Sequence, residues 1–474
     1  MSAPAQCDEA MAARGGTGVS ARYPVATVAA TILGSSLAFI DGSVVNVALP
    51  TIGHAFDAGP AALAWTINAY LLPLGALILL GGAIGDHYGR RRVFQIGIAI
   101  FLLASLLCTF APTLALLLAG RGLQGFGSAL LMPSSLAILG ASFSGTSRGR
   151  AIGTWAAAGA IAGAVGPLLG GWMVDVFGWR PIFLINLPIG VGAMWLGRYA
   201  NESRDRREAS RLDWAGGLVA TVGLGLIVWA LSAAAEPSAM RLALWAAGSA
   251  GAGLLAVFVW IEYRKGNAAL MPPALFATSS FVGLSLLTFF LYAALGGLIV
   301  LLPFLLIQLG HYSAVEAGAA MLPIPLLIGV GSRAMGGVAA KMGGRLLLSG
   351  GSLVVAAGLA LYAFINAGAI NYWRDILPST LLIAVGMAAC VAPLTTSVME
   401  SVDADHVGAA SGFNSALARI GGLLATALLG FVFAAAGDDA VLVARIHYAA
   451  VTGAGCCVLA AVCAYGFIRP SRKA

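Results

Sequence analysis

Asp41 is a single carboxylate within an apolar stretch that extends from about Pro24 to Pro50. The stretch is long enough for a helix to cross a bilayer, because a helix rises about 1.5 Å per residue and the hydrocarbon core is about 30 Å thick. Burying a carboxylate there is costly, so an acid inside a membrane generally marks a functional site. The chemistry open to this carboxylate is the reversible binding of a proton.

Arg121 is a second charge inside an apolar stretch. It lies nine residues after Pro112, as Asp41 lies nine residues before Pro50. Both are therefore predicted about 13 Å below the outer membrane boundary, although equal depth leaves open whether they are in contact. Burial disfavours an ionised carboxylate and a nearby guanidinium favours it, so Asp41 could load a proton outside and release it inside. The alternative is a static ion pair that only orients two helices.

Other polar side chains lie within or near apolar stretches. Each could line a cavity or form hydrogen bonds between helices: Asn46, Asn68, Tyr70, Gln124 and Gln308. Arg419 could attract anionic groups or pair with Glu400. The histidines and cysteines show no metal-ligand spacing, so we expect no metal site.

Membrane-spanning helices must position these residues. The chain has 474 residues, of which 60% are hydrophobic and only 9% are charged, against about 25% charged in soluble domains. Continuous apolar runs of about 20 residues predict spanning helices and exclude barrel strands. We predict an all-α integral membrane protein with fourteen transmembrane helices, at 25–49, 60–82, 93–111, 114–138, 150–174, 181–199, 213–233, 240–262, 281–308, 315–336, 346–366, 377–398, 409–436 and 443–468.

The positive charges predict the orientation. With the N-terminus inside, twenty Lys and Arg side chains fall on the cytoplasmic side, and four fall outside, namely Arg180, Arg241, Arg374 and Arg445. Because Lys and Arg concentrate in cytoplasmic loops, both termini are predicted to be cytoplasmic. The cations form no basic face, so the net charge of +7 does not indicate a nucleic-acid partner.

An internal repeat predicts two halves. The segment from Gly82 to Arg90 recurs from Gly337 to Arg345, so the first six runs resemble the last six and the seventh and eighth form an inserted pair. Repeats of this kind are typical of transporters whose substrate site lies between the halves. The predicted units are a cytoplasmic tail at 1–22, a six-helix bundle at 23–200, a linker with the inserted helices at 201–265, a second six-helix bundle at 266–468 and a cytoplasmic tail at 469–474.

The connection from Gly82 to Arg92 combines glycines, which permit tight turning, with an acid and three arginines. We predict that it forms a conformational latch, made by Gly82, Asp86, Gly89, Arg90 and Arg91. The alternative is an ordinary positively charged loop with a helix stop.

The fifth run contains small faces that permit close helix packing and a proline that permits a bend. The residues concerned are Gly159, Gly163, Gly166, Pro167, Gly170 and Gly171. A packing role is predicted for this segment. Whether it also seals a pathway in one conformational state is left open by the residues alone.

Together these segments resemble the major facilitator superfamily. The connection from Gly82 to Arg92 looks like its signature between the second and third helices, and Phe39 to Pro50 resembles the first-helix motif of its fourteen-helix drug–proton antiporter family. Four further segments are similar to motifs of that family: Arg121 to Gly127, Gly159 to Gly171, Trp179 to Pro188 and Phe413 to Gly422. The resemblance covers residues 25 to 468.

The resemblance implies the major facilitator fold, with two six-helix bundles and two inserted helices. It also implies a proton-coupled secondary transporter, functional as a monomer, that exports apolar or amphipathic small molecules such as drugs or antibiotics across the bacterial inner membrane by alternating access. The expected partners are this substrate, protons and the lipid bilayer. Some members of the family that export dications carry a second acid inside the tenth helix, whereas Glu316 lies near the outer end of that helix. Divalent cations are therefore less expected as substrates.

Two alternatives are an importer or facilitator of another solute and, more remotely, a membrane sensor that transports nothing. We predict no enzymatic activity, since the GxGxxG match from Gly120 to Gly125 lies inside a run and the GxSxG match from Gly145 to Gly149 lacks a preceding strand. No cofactor is expected either. Without a phosphate-binding loop, the proton gradient is the expected energy source.

Overall fold

The computed structural model describes residues 22–204, 213–236, 240–266, 269, 271–366, 370–403, 406–434 and 438–468. The predicted tails at 1–22 (apart from Arg22) and at 469–474 lie outside these residues, as does most of the predicted linker. The described chain is helical, and thirteen of its helical segments are long and apolar enough to cross a membrane. The all-α membrane fold is confirmed.

The first seven helices form an N-terminal group. They are α1 (Pro24–Phe56), α2 (Pro60–Tyr88), α3 (Arg90–Thr109), α4 (Leu114–Ser142), α5 (Gly145–Phe177), α6 (Pro181–Leu184) and α7 (Asn186–Gly197). Two helices follow, at the positions of the predicted inserted pair: α8 (Trp214–Ala233) and α9 (Arg241–Lys265).

The remaining helices form a C-terminal group. They are α10 (Ser279–Gln308), α11 (Ala314–Ala320), α12 (Pro323–Met342), α13 (Gly344–Leu361), α14 (Leu377–Glu400), α15 (Val407–Leu428), α16 (Gly430–Phe433) and α17 (Asp439–Phe467). Its core is one large apolar cluster that includes Phe281, Phe304 and Ile383.

The count of fourteen spanning helices is not confirmed. The sixth predicted run is divided into α6 and α7, which together occupy Pro181–Gly197 and are shorter than the thirteen candidate spans. The first helix is longer than predicted, since α1 continues through Pro50 and ends at Phe56, where Asp57 adopts a left-handed conformation with φ of 49°. A proline within a membrane helix is tolerated when neighbouring groups satisfy the freed backbone.

Single glycines separate two pairs of helices. Gly89, with φ of 112°, lies between α2 and α3, and Gly343, with φ of 84°, lies between α12 and α13. Such positive φ angles favour glycine. Gly343 comes one residue before the position that the repeat pairs with Gly89. We call the end of the bundle that carries these two glycines the inner end, and the opposite end the outer end.

The two groups are packed together at the outer end. There a Cβ atom added to Gly171 of α5 would overlap the carbonyl oxygen of Ala314 in α11, and one added to Gly318 would overlap that of Pro167. At the inner end, a Cβ atom added to Gly153 of α5 or to Gly337 of α12 would meet no atom within 4 Å. The space between the groups is therefore closed towards the outer end.

Candidate functional site

Asp41 and Arg121 form a direct ion pair inside the N-terminal group. Nη1 of Arg121 donates to Oδ2 of Asp41, and both side chains are buried, with 1% and 0% of their surfaces exposed. Two buried charges stabilise each other only when the remaining polar atoms are also hydrogen-bonded. The surroundings of the pair therefore decide what it can do.

Three uncharged side chains complete the hydrogen bonding around Asp41. Its Oδ1 accepts hydrogen bonds from Nε2 of Gln124, at 3.0 Å, and from Nδ2 of Asn186, at 3.1 Å. Both amides also donate to Oγ of Ser105, at 2.9 and 3.2 Å. We call these five residues, Asp41, Ser105, Arg121, Gln124 and Asn186, the acid network; it joins α1, α3, α4 and α7.

Two members of this network, Ser105 and Asn186, are not among the site residues predicted from the sequence. Asn186 lies in a segment that resembles a family motif, whereas Ser105 lies outside every such segment. The available signal was polarity inside an apolar run, which is weak for a serine because its hydroxyl can bond its own helix, as this one does to the carbonyl oxygen of Phe101. The role of Asn186 was easier to infer than that of Ser105, since Asn186 is the first residue of α7, just after the break that follows α6.

Arg121 also has partners other than Asp41. Its Nε donates to the carbonyl oxygen of Thr66, at 3.2 Å, and its Nη1 also donates to Oε1 of Gln124, at 2.8 Å. The guanidinium carbon lies 4.5 Å from the ring centroid of Tyr70, within the range of a cation–π interaction. The Tyr70 hydroxyl is in turn 3.2 Å from the carbonyl oxygen of Ala38.

A cavity of about 350 Å³ lies between the two groups. Apolar side chains form most of its wall, and α1, α2, α4 and α5 face α10, α12, α14 and α15 across it. Arg121 is on the wall, but Asp41 is not among the described lining residues. A molecule in the cavity would thus touch the acid network through Arg121.

The predicted cavity residues divide into two sets. The structure places Asn46, Tyr70 and Arg419 on the cavity wall. The other three, Asn68, Gln124 and Gln308, are not among the described residues that line it. With its amide suitably oriented, Asn68 donates to the carbonyl oxygen of Leu423 at 3.3 Å and so links α2 to α15.

Arg419 makes no ion pair within the described chain, so the possible pairing with Glu400 is not formed. Its Nε and Nη2 atoms are buried and have no hydrogen-bond partner among the described residues. Arg419 is the residue on the cavity wall whose polar atoms are least satisfied.

The glycines of α5 do not share one role. A Cβ atom added to Gly159 would press on the ring of Phe39, one on Gly166 would overlap Ser43, and one on Gly170 would overlap Val44. These three glycines, with Pro167 between them, therefore allow α5 to approach α1, whereas Gly171 contacts the other group. Gly163 differs, because a Cβ atom there would meet nothing within 4 Å and the residue lies on the cavity wall.

The predicted latch is almost entirely helical. Gly82 and Asp86 belong to α2, Arg90 and Arg91 belong to α3, and Gly89 alone lies between them. Oδ1 of Asp86 accepts a hydrogen bond from Nε of Arg90 at 2.8 Å. Arg91 donates through Nη1 to the carbonyl oxygen of Ala200, at 3.2 Å.

A carboxylate that is not among the predicted site residues also binds the latch. Glu202 accepts hydrogen bonds from the backbone N–H groups of Arg91 and Arg92, at 3.0 and 3.1 Å. It therefore caps the first turn of α3, where negative charge is favourable. The latch thus contacts the segment after α7, and its part in conformational change stays a prediction.

Comparisons with known proteins agree with this architecture. The family model described as Major Facilitator Superfamily matches residues 31–426. The multidrug resistance protein Stp of Mycobacterium tuberculosis is 34% identical over 419 residues, which cover 87% of this chain and 76% of that protein. The puromycin resistance protein pur8 of Streptomyces alboniger is 34% identical over 403 residues, covering 84% and 79%.

A solved structure shares the fold. The inward open xylose transporter XylE from E. coli is similar with a TM-score of 0.64 at 16% identity, and the match covers 95% of this chain and 97% of that one. The match to the family model and the relatives in two bacteria lead to one conclusion: this chain belongs to the major facilitator superfamily, whose members are multi-pass membrane transporters and not enzymes.

Proposed function

We propose that this protein exports apolar or amphipathic small molecules, such as drugs or antibiotics, in exchange for protons. Three relatives support export of such compounds: the multidrug resistance protein, the puromycin resistance protein and the methylenomycin A resistance protein of Bacillus subtilis, the last 31% identical over 404 residues. The largely apolar wall of the cavity suits molecules with an apolar body. We further propose a monomer in the bacterial inner membrane, with both termini cytoplasmic.

The observation that carries proton coupling is the position of the Asp41–Arg121 pair. Asp41 is fully buried, whereas Arg121 bridges the carboxylate and the cavity wall. Protonation of Asp41 would remove the charge that holds Arg121, and the guanidinium would then be free to contact substrate or to move. Substrate and proton would thus compete for the acid network through Arg121.

The membrane potential and the pH gradient would drive such an exchange. Each proton that enters down a membrane potential of 100 mV supplies about 2.3 kcal/mol, and a pH gradient adds to it. In alternating access the two groups would rock around the cavity. The outer end is packed in the described structure, so this conformation would be one in which the site is closed towards the outside.

Asp41→Asn tests the proposal, because it keeps the shape of the side chain and removes its charge. Expression in a drug-sensitive bacterium first identifies an antibiotic to which the wild type confers tolerance. Everted membrane vesicles with a pH-sensitive dye then report whether that antibiotic releases protons from acidified vesicles. We expect proton release with the wild type and none with Asp41→Asn.

The matched control is Asp57→Asn, because Asp57 is exposed at the end of α1 and asparagine also adopts its left-handed conformation. This variant should behave as the wild type does. Normal proton release by Asp41→Asn would show that the assignment of Asp41 is wrong. If the wild type gives neither tolerance nor proton movement with any compound of the class, proton-coupled export itself is refuted.

A further inference from the structure

We infer that the cavity recognises an anionic group on its substrate, and that Arg419 binds this group. The inference rests on the proposed function, since it takes the cavity for the transport site. It narrows the substrates to amphipathic molecules that carry a carboxylate or a similar acid.

The first observation is the state of the Arg419 guanidinium. Arg419 projects from α15 onto the cavity wall, and two of its three nitrogen atoms, Nε and Nη2, are buried without a partner in the described chain. A buried donor that has lost water and gained no acceptor is costly, and more so when it is charged. A guanidinium in this state is satisfied by an oxyanion, which it can bind through two parallel hydrogen bonds.

The second observation is the charge of the wall. Among the described residues that line the cavity, the charged ones are Arg121 and Arg419, and none is an acid. The positive charge of Arg121 is compensated by Asp41. The charge of Arg419 has no such compensation, so the cavity carries a net positive charge. With apolar walls around it, this charge favours an anion and disfavours a cation.

The third observation concerns the opposite wall. Oδ1 of Asn46, in α1, is buried and has no hydrogen-bond partner in the described chain, while its Nδ2 donates to the carbonyl oxygen of Gly42 at 3.3 Å. Asn46 also lines the cavity, and a rotation of its amide would present this acceptor to a substrate. A ligand that suits both sites has an acidic group, a hydroxyl or N–H donor and an apolar body.

Two fluorescent probes, a carboxylic acid and its uncharged methyl ester, test the inference. Dansylaminoundecanoic acid has a carboxylate, a sulfonamide N–H and an apolar chain, and its methyl ester lacks the negative charge. Binding of each probe to the purified full-length protein in lipid nanodiscs is measured from the dansyl emission, with empty nanodiscs subtracted. We expect the wild type to bind the acid at least about tenfold more tightly than the ester, as a charged hydrogen bond provides.

Three variants assign this preference to Arg419. Arg419→Gln should bring the two affinities to within about twofold of each other, while the affinity for the ester stays unchanged. Arg419→Lys should keep a reduced preference for the acid, because it retains the charge but not the planar fork. The control Arg374→Gln should keep the full preference, since the Arg374 side chain is 89% exposed and does not line the cavity.

Equal binding of acid and ester by the wild type would overturn the inference, and so would a preference that survives Arg419→Gln. The failure of the inference is distinct from the failure of the proposed function. If the ester and antibiotics are exported with proton release but the acid has no advantage, anion recognition is wrong and proton-coupled export stands. If the acid is preferred through Arg419 but no compound moves protons, the binding site stands and the coupling is wrong.

Discussion

Asp175 provides a direct test of how the outer end is held closed. It lies near the outer end of α5, and its two carboxylate oxygens accept hydrogen bonds from the backbone N–H groups of Ala314 and Val315, at 3.0 and 2.8 Å. These groups belong to the first turn of α11, in the other helix group. The same turn is capped from within by Ser313 and Glu316, so α11 remains capped when Asp175 changes.

Asp175→Asn should weaken this contact by about 1–2 kcal/mol. An asparagine keeps one acceptor oxygen but turns an amide towards the second N–H, so one charge-assisted hydrogen bond is lost, together with a favourable charge at a helix N-terminus. Because Asp175 is exposed, the free energy lost with this hydrogen bond should lie near the lower end of the range that is usual for hydrogen bonds to charged groups. A change of 1.4 kcal/mol corresponds to a factor of about 10 in an equilibrium constant, so the ratio of outer-open to outer-closed molecules should rise about tenfold.

Spin labels measure this ratio. Phe110 follows α3 and Phe364 follows α13, both at the outer end and in different groups, and their side chains are 72% and 77% exposed. After the six native cysteines have been replaced, cysteines at these two positions are labelled and their distance distribution is recorded by double electron–electron resonance. The wild type should give mainly the shorter distance. Asp175→Asn should increase the population at the longer distance.

Asp57→Asn is the control for this experiment, because it removes a carboxylate from the same end of the bundle without touching α11. Its distance distribution should match that of the wild type. If Asp175→Asn changes the ratio by less than about twofold, far below the tenfold change expected from its hydrogen bonds, Asp175 does not hold the outer end closed. A shift towards shorter distances would contradict the reasoning altogether.

Two further predictions concern stability. Gly170→Ala should lower the melting temperature in detergent, since its Cβ atom would overlap Val44 and overpacking costs about 1–3 kcal/mol. Gly163→Ala should leave the melting temperature unchanged or slightly higher, because its Cβ atom meets only the cavity. Equal changes in melting temperature would show that the two positions are not distinguished by packing. Lys265→Met should destabilise the protein at neutral pH, because Lys265 donates a hydrogen bond to the Asp213 carboxyl. Burial raises the pKa of this carboxyl, but the hydrogen bonds from Lys265 and other donors outweigh the effect of burial. The pKa of Asp213 therefore lies below its ordinary value of 3.8. A lowered pKa stabilises the folded state at pH values above the ordinary pKa, and this stabilisation is lost as the pH falls through the lowered pKa. The difference in stability between Lys265→Met and the wild type, measured by thermal unfolding, should therefore narrow below about pH 4. A difference in stability that does not depend on pH would contradict an ionic contact.

The sequence predicted the elements well because membrane helices have a strong signal. Continuous apolarity over a bilayer thickness identified the spans, and the charges within them identified Asp41 and Arg121. Equal depth indicated that these two could meet, and the structure brings them into contact. The extension of α1 past Pro50 was not predictable from the residue type, since a proline ends a helix in water more readily than in a membrane.

The neutral members of the site were harder to predict. A serine such as Ser105 can satisfy its hydroxyl within its own helix, so its type does not reveal the second bond to the amides beside Asp41. The different surroundings of Gly163 and Gly170 depend on which face of α5 meets α1 and which meets the cavity. That face is set by the packing of whole helices, and the spacing of the glycines contains little information about it.

The inserted pair has a consequence for how the protein meets lipid. Val228 of α8 belongs to one apolar cluster with Leu423 and Ala427 of α15, and Trp65 and Leu72 of α2 pack against this cluster. Helix α8 therefore contacts both helix groups along one boundary between them. A lipid tail on that side meets α8 and not the boundary itself. The opposite boundary, between α5 and α12, has no inserted helix against it in the described part of the chain. The protein is therefore asymmetric towards the bilayer, and a compound dissolved in the membrane meets α8 at one boundary and α5 and α12 at the other.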